Sequence, residues 1–172
     1  MTEKETIEHI IATRRFPRTV DDNMNYFFLI APIAFTAIGS SMMYNYVVFE
    51  SGPEILIDSI LIFSLGILFA FFILRRLSEN ITFTSITATS DDNIDSVSEN
   101  LKQKFNLRSV DVDKDLNRIA AFTKTTAFSW GEQLTLVFDK DCIFINSRPS
   151  GSRQPFTILK DRRNIKKLEE IV

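Results

Sequence analysis

The sequence predicts an α+β protein, in which a two-helix transmembrane hairpin precedes a small cytoplasmic domain with an antiparallel sheet and two packed helices. Three observations support this. Two long apolar runs follow one another early in the chain, at 26–49 and 55–74. Arginines flank the pair of runs, and the segment that joins them has none. After the second run, short β-branched stretches alternate with acidic turns, which is typical of antiparallel strands.

The first 25 residues are predicted to form a polar cytoplasmic leader, separate from the later domain. Within it, Thr6 to Arg15 has the pattern of a short helix, with Ile7, Ile10 and Ile11 on one face. We expect no cleaved signal peptide, because the first apolar run begins late, is long and lacks a small-residue cleavage site.

Each apolar run is long enough to cross a bilayer. A hydrocarbon core about 30 Å thick requires about 20 apolar residues at a helical rise of about 1.5 Å per residue. The run 26–49 carries no charge, and the run 55–74 carries only Asp58. A pair of buried helices in a soluble protein is the alternative. The external loop 50–54 argues against it, because it is short and its Gly52-Pro53 step favours a tight antiparallel hairpin.

Basic residues beside the runs predict the orientation. They are Arg14, Arg15 and Arg18 before the first run, and Arg75 and Arg76 after the second. The connecting loop has two glutamates and no basic residue. Because cytoplasmic flanks are enriched in Lys and Arg, we expect a two-pass protein with both termini cytoplasmic, in a bacterial inner membrane.

Residues 75–172 are predicted to form one cytoplasmic α+β domain. A helix that starts at 90–92 presents Ile94, Val97, Leu101 and Phe105 on one face, and Asp161 is expected to cap a last helix. The strands are predicted at 81–89, 107–112, 118–128, 132–138 and 142–147, with a short extended piece at 156–159. Tight turns between strands imply an antiparallel meander, one face of which the helices cover.

Polar and small residues in the apolar runs suggest contacts within the membrane. Asp58 and Asn45 lie at similar predicted depth near the external surface, where they are expected to form an interfacial polar cluster. An ion or proton pathway that uses Asp58 is the alternative. Small residues recur four apart at Thr36/Ser40, Ala37/Ser41 and Gly66/Ala70. They favour close helix packing, either inside the hairpin, in a homo-oligomer or against another membrane protein.

Positive charge concentrates near the carboxyl end. Arg148, Arg153, Arg162 and Arg163 surround a Ser150-Gly151-Ser152 loop whose backbone N–H groups are suited to an anion. One interpretation is a binding site for a lipid headgroup or another anionic ligand. The other is a solvated helix face that is attracted weakly to membrane lipid.

The sequence contains no residue pattern that indicates an active site. The chain has one histidine, His9, and one cysteine, Cys142, so no cysteine zinc site or internal disulfide is possible. We expect no catalytic residues, no metal and no cofactor. A net charge of −2 and the acidic turns at 113–115 and 139–141 argue against nucleic acid as a partner.

A family resemblance accompanies this interpretation. Phe128-Ser-Trp-Gly-Glu132, then Ser147-Arg148, then Asp161-x-x-Asn164-Ile165 resembles a bacterial family known as a domain of unknown function (fourteen-ninety-nine). The resemblance covers roughly 81–172. It departs at Arg162-Arg163, where that family tends to have Asp-x-Gly-x-Asn. It implies a domain shape and no reaction. The sequence therefore favours a non-enzymatic membrane-anchored subunit or adaptor, with anion binding as the alternative and transport through Asp58 as a further one.

Overall fold

The chain folds into two units with an α+β architecture, which confirms the predicted fold class. The structure is a computed structural model, and it describes residues 1–49, 52–88, 93–125, 131–150 and 160–171. One unit joins Met1–Thr19 to Ser78–Val172, and the other is Val20–Leu77. The helices are α1 (Glu3–Thr13), α2 (Val20–Met24), a 3-10 turn (Asn25–Leu29), α3 (Ile30–Phe49), α4 (Pro53–Ile81), α5 (Ile94–Lys104) and α6 (Lys160–Glu169). The strands are β1 (Thr84–Thr87), β2 (Leu107–Asp113), β3 (Arg118–Thr123), β4 (Glu132–Asp139) and β5 (Cys142–Pro149).

Two helices are long and apolar enough to span a membrane. They cover Asp22–Phe49, which includes the last three residues of α2, the 3-10 turn and α3, and Pro53–Ile81, which is α4. Both contain the apolar runs that the sequence indicates. The second helix continues seven residues past Leu74 to Ile81, so the strand expected from residue 81 begins at Thr84 instead.

The five strands form one antiparallel sheet in the order β1-β5-β4-β3-β2. The β4–β5 hairpin turns through Lys140 and Asp141, as the acidic pattern predicts, with Asp139 paired to Cys142. The β2–β3 turn places Asn117 at a φ of 48°, a conformation that Asn tolerates better than most residues. The Leu116 backbone N–H donates to Asp113 Oδ1 at 3.0 Å in this turn. Residues 126–130 and 151–159, which include parts of two predicted extended segments, lie outside the described residues.

One face of the sheet is covered by α5 and α6. Its core contains Val97, Leu101 and Phe105 of α5 and its C-cap, Leu168 and Ile171 from the carboxyl end, and inward side chains of the central strands such as Leu136. Asn93 caps α5, since its side chain accepts from the Ser96 backbone N–H. The two predicted amphipathic helices therefore pack as expected, although Asp161 lies inside α6 rather than before it.

The opposite face is covered by α1, whereas the sequence predicts that this segment belongs to a separate leader. Ile7 and Ile10 are buried in a second cluster with Phe83, Val137 and Phe144, and Phe16 packs against it. Residues 1–19 therefore belong to the domain, and the boundaries 1–25 and 75–172 are replaced by one unit formed from both chain ends. The spacing of Ile7, Ile10 and Ile11 correctly predicts the apolar face of this helix. The sheet surface that this face contacts lies far along the sequence.

The α1 helix is capped at its start. The Glu5 backbone N–H donates to Thr2 Oγ1 at 3.2 Å, and the Thr2 backbone N–H donates to Glu5 Oε2 at 2.7 Å. This reciprocal capping box satisfies two N–H groups that have no partner inside the helix. The helix ends at Arg14, whose φ of 55° turns the chain toward the sheet.

Candidate functional site

The two long apolar helices pack closely through two glycines. A Cβ at Gly39 would lie 2.6 Å from the backbone nitrogen of Phe63, and a Cβ at Gly66 would lie 2.7 Å from the backbone nitrogen of Thr36. Because positions later in α3 meet positions earlier in α4, the helices run antiparallel. Glycine is required at both contacts because any side chain would push the backbones apart. The predicted small residues Thr36 and Gly66 thus serve packing inside the hairpin.

Most of the remaining surface of this unit is apolar. Its exposed large side chains include Phe27, Ile33, Val47, Leu61 and Phe71, each at least 57% exposed. Contiguous exposed apolar surface of this extent is unusual for a protein surrounded by water. The two helices that carry this surface are long and apolar enough to span a membrane.

Asp58 and Asn45, the predicted intramembrane polar pair, are both exposed. Among the described residues, no hydrogen bond joins them. The polar hydroxyls nearby bond within their own helices, as where Ser59 Oγ donates to the Leu56 carbonyl at 2.8 Å. The interfacial cluster centred on Asp58 therefore stays a prediction.

A short backbone bridge joins the two segments that lead into and out of the apolar helices. Arg15 and Thr82 are antiparallel partners. On either side of them, the Phe16 N–H donates to the Ile81 carbonyl and the Phe83 N–H donates to the Arg14 carbonyl, both at 2.8 Å. We call this element the junction bridge. It ties the residue range that precedes the first apolar helix to the range that follows the second.

Side chains from the sheet and from α6 reinforce the end of α4. The buried Asn146 Nδ2 donates to the carbonyls of Asn80 and Thr82 at 3.1 and 2.7 Å. Arg162 of α6 forms an ion pair with Glu79, with 2.6 Å between Nη2 and Oε1. The rings of Phe16 and Phe83 lie against each other with centroids 4.6 Å apart. No local sequence pattern predicts this junction, because the residues that pair in it lie far apart in the chain.

The structure places the three described members of the predicted anion-binding set, Arg148, Arg162 and Arg163, on two faces of the sheet. Arg148 lies on the α1 side of the sheet, with its guanidinium carbon 4.1 Å from the centroid of the Phe16 ring and its Nε donating to Gln133 Oε1 at 3.2 Å. Arg162 and Arg163 lie on α6, which packs on the other face. Arg153 lies outside the described residues.

On α6 itself, the charged residues divide into two groups. Arg162 is engaged by Glu79, whereas Arg163 and Lys166 are exposed and make no ion pair with a described residue. The buried Asn164 fixes the helix on the sheet, since its Nδ2 donates to Ser147 Oγ at 3.2 Å. The arrangement leaves basic side chains in solvent on a helix that is held at the end of α4.

An acidic cleft lies between α5 and the β2–β3 turn. Asp95, Glu99, Asp111 and Asp113 line it, together with basic groups such as Lys114. The Lys114 amine is 2.7 Å from Asp95 Oδ2, and both side chains are about two-thirds exposed. Within the described part of the chain, no group of three or more His, Cys, Asp or Glu side chains is arranged to hold a metal ion. The cleft is a solvated charge surface.

Comparison with known protein families, with curated proteins and with solved structures gives no match. The resemblance to the domain of unknown function (fourteen-ninety-nine) therefore stays a prediction. Its motif residues Phe128 to Trp130 also lie outside the described residues.

Proposed function

We propose that this chain is a two-pass membrane protein with both termini cytoplasmic, which acts as a non-enzymatic anchored subunit or adaptor. The observation that carries the proposal is which parts of the chain form the folded domain. Residues 1–19 and 78–172 form one unit, with the two apolar helices inserted between them. A domain assembled from both ends of a chain must lie on one side of a membrane, which requires an even number of crossings.

The direction of insertion is supported by charge. Arg14, Arg15 and Arg18 precede the first helix, Arg75 and Arg76 follow the α4 apolar run, and the connecting loop is acidic. Cytoplasmic flanks carry such an excess of basic residues. The exposed apolar surface of the hairpin and its glycine-mediated packing support a lipid environment for these helices.

Two observations support the adaptor role: the positions of the histidine and the cysteine, and the attachment of the domain to both ends of the hairpin. The only histidine and the only cysteine of the sequence, His9 and Cys142, lie on α1 and at the start of β5. Cys142 borders the α1-side core as a half-buried apolar residue, which is a structural position. A domain tied at both ends to a membrane hairpin suits the presentation of a surface to a second membrane protein or to another copy of itself.

Two experiments test the proposal. In a Cys142→Ser background, a membrane-impermeant maleimide added to intact cells is expected to modify Gly52→Cys and to leave Asp115→Cys unmodified until the cells are opened. Gly52 is suited to this because nothing lies within 4 Å of a Cβ built there. Labelling of Asp115→Cys in intact cells, or full recovery of the protein in a detergent-free high-salt extract, would contradict the membrane placement. For the adaptor role, crosslinking in the native membrane at native expression is expected to capture a partner or a second copy, and a lone monomer would contradict it.

A further inference from the structure

The junction bridge and α6 bring basic residues from both ends of the chain to the end of α4. Arg15 is the pairing partner of Thr82, and Arg162 contacts Glu79. The Thr82 N–H in turn donates to the Glu79 carbonyl at 3.2 Å. The turn from Glu79 to Thr82 therefore contacts both the segment around Arg15 and the α6 residue Arg162. No spacing in the sequence predicts this.

We propose that the exposed side chains of Arg14, Arg15, Arg163 and Lys166 form a basic collar that binds anionic phospholipid headgroups. This inference rests on the proposed membrane placement. It differs from the anion site predicted from the sequence, because Arg148 is engaged on the α1 side of the sheet with Phe16 and Gln133. Arg162 lies beside the collar, where its ion pair links α6 to Glu79 near the end of α4, while Arg163 and Lys166 remain in solvent.

The position of the collar along α4 supports contact with headgroups. Glu79 lies five residues beyond Leu74, the last residue of the apolar run, so the helical rise separates them by about 7.5 Å. Charges interact over a screening length of about 8 Å at physiological ionic strength. The groups held at Glu79 and Thr82 are therefore close enough to the lipid surface to be attracted by its charge.

The charge of α6 also fits this role. Its ten residues, Lys-Asp-Arg-Arg-Asn-Ile-Lys-Lys-Leu-Glu, include five basic and two acidic side chains, whereas the whole chain has a net charge of −2. The segregation places a positive surface on one helix of an otherwise acidic protein. Each basic residue close to an anionic leaflet contributes about 1 kcal/mol, which corresponds to about a fivefold gain in affinity.

The test uses the full chain reconstituted in lipid discs of phosphatidylcholine with three-tenths phosphatidylglycerol, followed by extraction in neutral detergent and measurement of the lipid that remains bound. The wild-type protein is expected to retain phosphatidylglycerol over phosphatidylcholine at a ratio at least about fivefold above that of the bulk lipid. Arg163→Glu/Lys166→Glu and, independently, Arg14→Glu/Arg15→Glu are each expected to reduce this enrichment at least about fivefold, since each pair removes two favourable charges. The matched control Lys102→Glu/Lys140→Glu makes the same charge change at exposed lysines outside the collar and is expected to retain wild-type enrichment.

Three outcomes would overturn the inference. Wild-type protein without enrichment, or collar variants that behave like the control, would exclude lipid recognition by these residues. The third outcome concerns hydrogen exchange of the α6 amides. If inorganic phosphate added to discs of phosphatidylcholine alone protects these amides as much as phosphatidylglycerol does in the mixed discs, the surface binds a soluble anion instead. Failure of the proposed membrane placement has a different signature, because the protein would then stay outside the discs altogether.

Discussion

Replacing Ile10 by alanine tests whether α1 is part of the domain core. Ile10 is 1% exposed and belongs to the cluster that α1 forms with the sheet. Truncation of a buried isoleucine costs about 2–4 kcal/mol, from lost burial and the cavity that remains. Ile7, at 7% exposure, should cost somewhat less. Glu8→Ala, on the exposed side of the same helix, is the control and should change stability by less than about 0.5 kcal/mol.

Native-state hydrogen exchange of the β4 and β5 amides in mild detergent measures the effect. A loss of about 2–4 kcal/mol corresponds to roughly 30- to 700-fold faster exchange of amides that open only on global unfolding. An autonomous leader helix would leave these amides unchanged. Equal exchange in the wild-type and Ile10→Ala proteins would therefore refute the assignment of α1 to the domain.

A double-mutant cycle sharpens this test. Ile10 and Val137 share the α1-side cluster, whereas Val97 lies in the core under α5 on the opposite face. Residues within one cluster couple by at least about 0.5 kcal/mol, and distant ones add independently. We expect coupling between Ile10→Ala and Val137→Ala, and none between Ile10→Ala and Val97→Ala. Equal coupling in the two pairs would show that the effect of Ile10→Ala does not come from packing on β4.

Three other substitutions have definite expected outcomes. Gly39→Val should separate the two apolar helices, because its Cβ would lie 2.6 Å from the Phe63 nitrogen. We expect the variant to lose about 1–3 kcal/mol of stability, measured by thermal unfolding in detergent. An unchanged melting curve would contradict the close packing. Gly131→Ala should destabilise the domain by about 1–3 kcal/mol. Gly131 has a φ of 90°, and a Cβ added there would lie 2.6 Å from the Thr123 carbonyl oxygen. Denaturation of the variant at the wild-type midpoint would refute this. Thr135→Val should stabilise the domain by about 1 kcal/mol, because Thr135 Oγ1 is buried and has no hydrogen-bond partner among the described residues; a lower midpoint would indicate that the hydroxyl has a partner.

The sequence predicts local elements well where side-chain patterns and turn residues agree. The apolar runs, the face of α5 and the β4–β5 turn at Lys140 and Asp141 follow from composition and spacing. The junction bridge does not follow from them. It pairs residues 14–16 with 81–83, and pairing between distant segments is set by tertiary packing rather than by local propensity.

The candidate sites show the same division. Charge clustering in the sequence indicates the basic surface of α6, but it also groups Arg148 with that surface. In the folded chain, Arg148 stacks on Phe16, because alternation along β5 turns residue 148 to the α1 face and residue 147 to the α6 face. Phe16 lies in the segment that the sequence predicts to be a separate leader, so no sequence pattern predicts its contact with Arg148.

One crosslinking experiment tests the central claim that the two chain ends form one domain on one side of a membrane hairpin. Arg15 and Thr82 are a non-hydrogen-bonded antiparallel pair, whose Cα atoms lie about 4.5 Å apart, within the range of a disulfide. The variant Arg15→Cys/Thr82→Cys, in a Cys142→Ser background, also carries a protease site inserted after Gly52. Lys4→Cys/Thr82→Cys is the control, because Lys4 lies at the far end of α1.

Protease is added outside spheroplasts, and the isolated membranes are then oxidised and examined on a non-reducing gel. We predict that the loop is cut and that Arg15→Cys/Thr82→Cys nevertheless migrates as one band near 19.8 kDa, while the control separates into two fragments. Two fragments from the Arg15→Cys/Thr82→Cys protein, or a loop that is cut only after the cells are opened, would contradict the account.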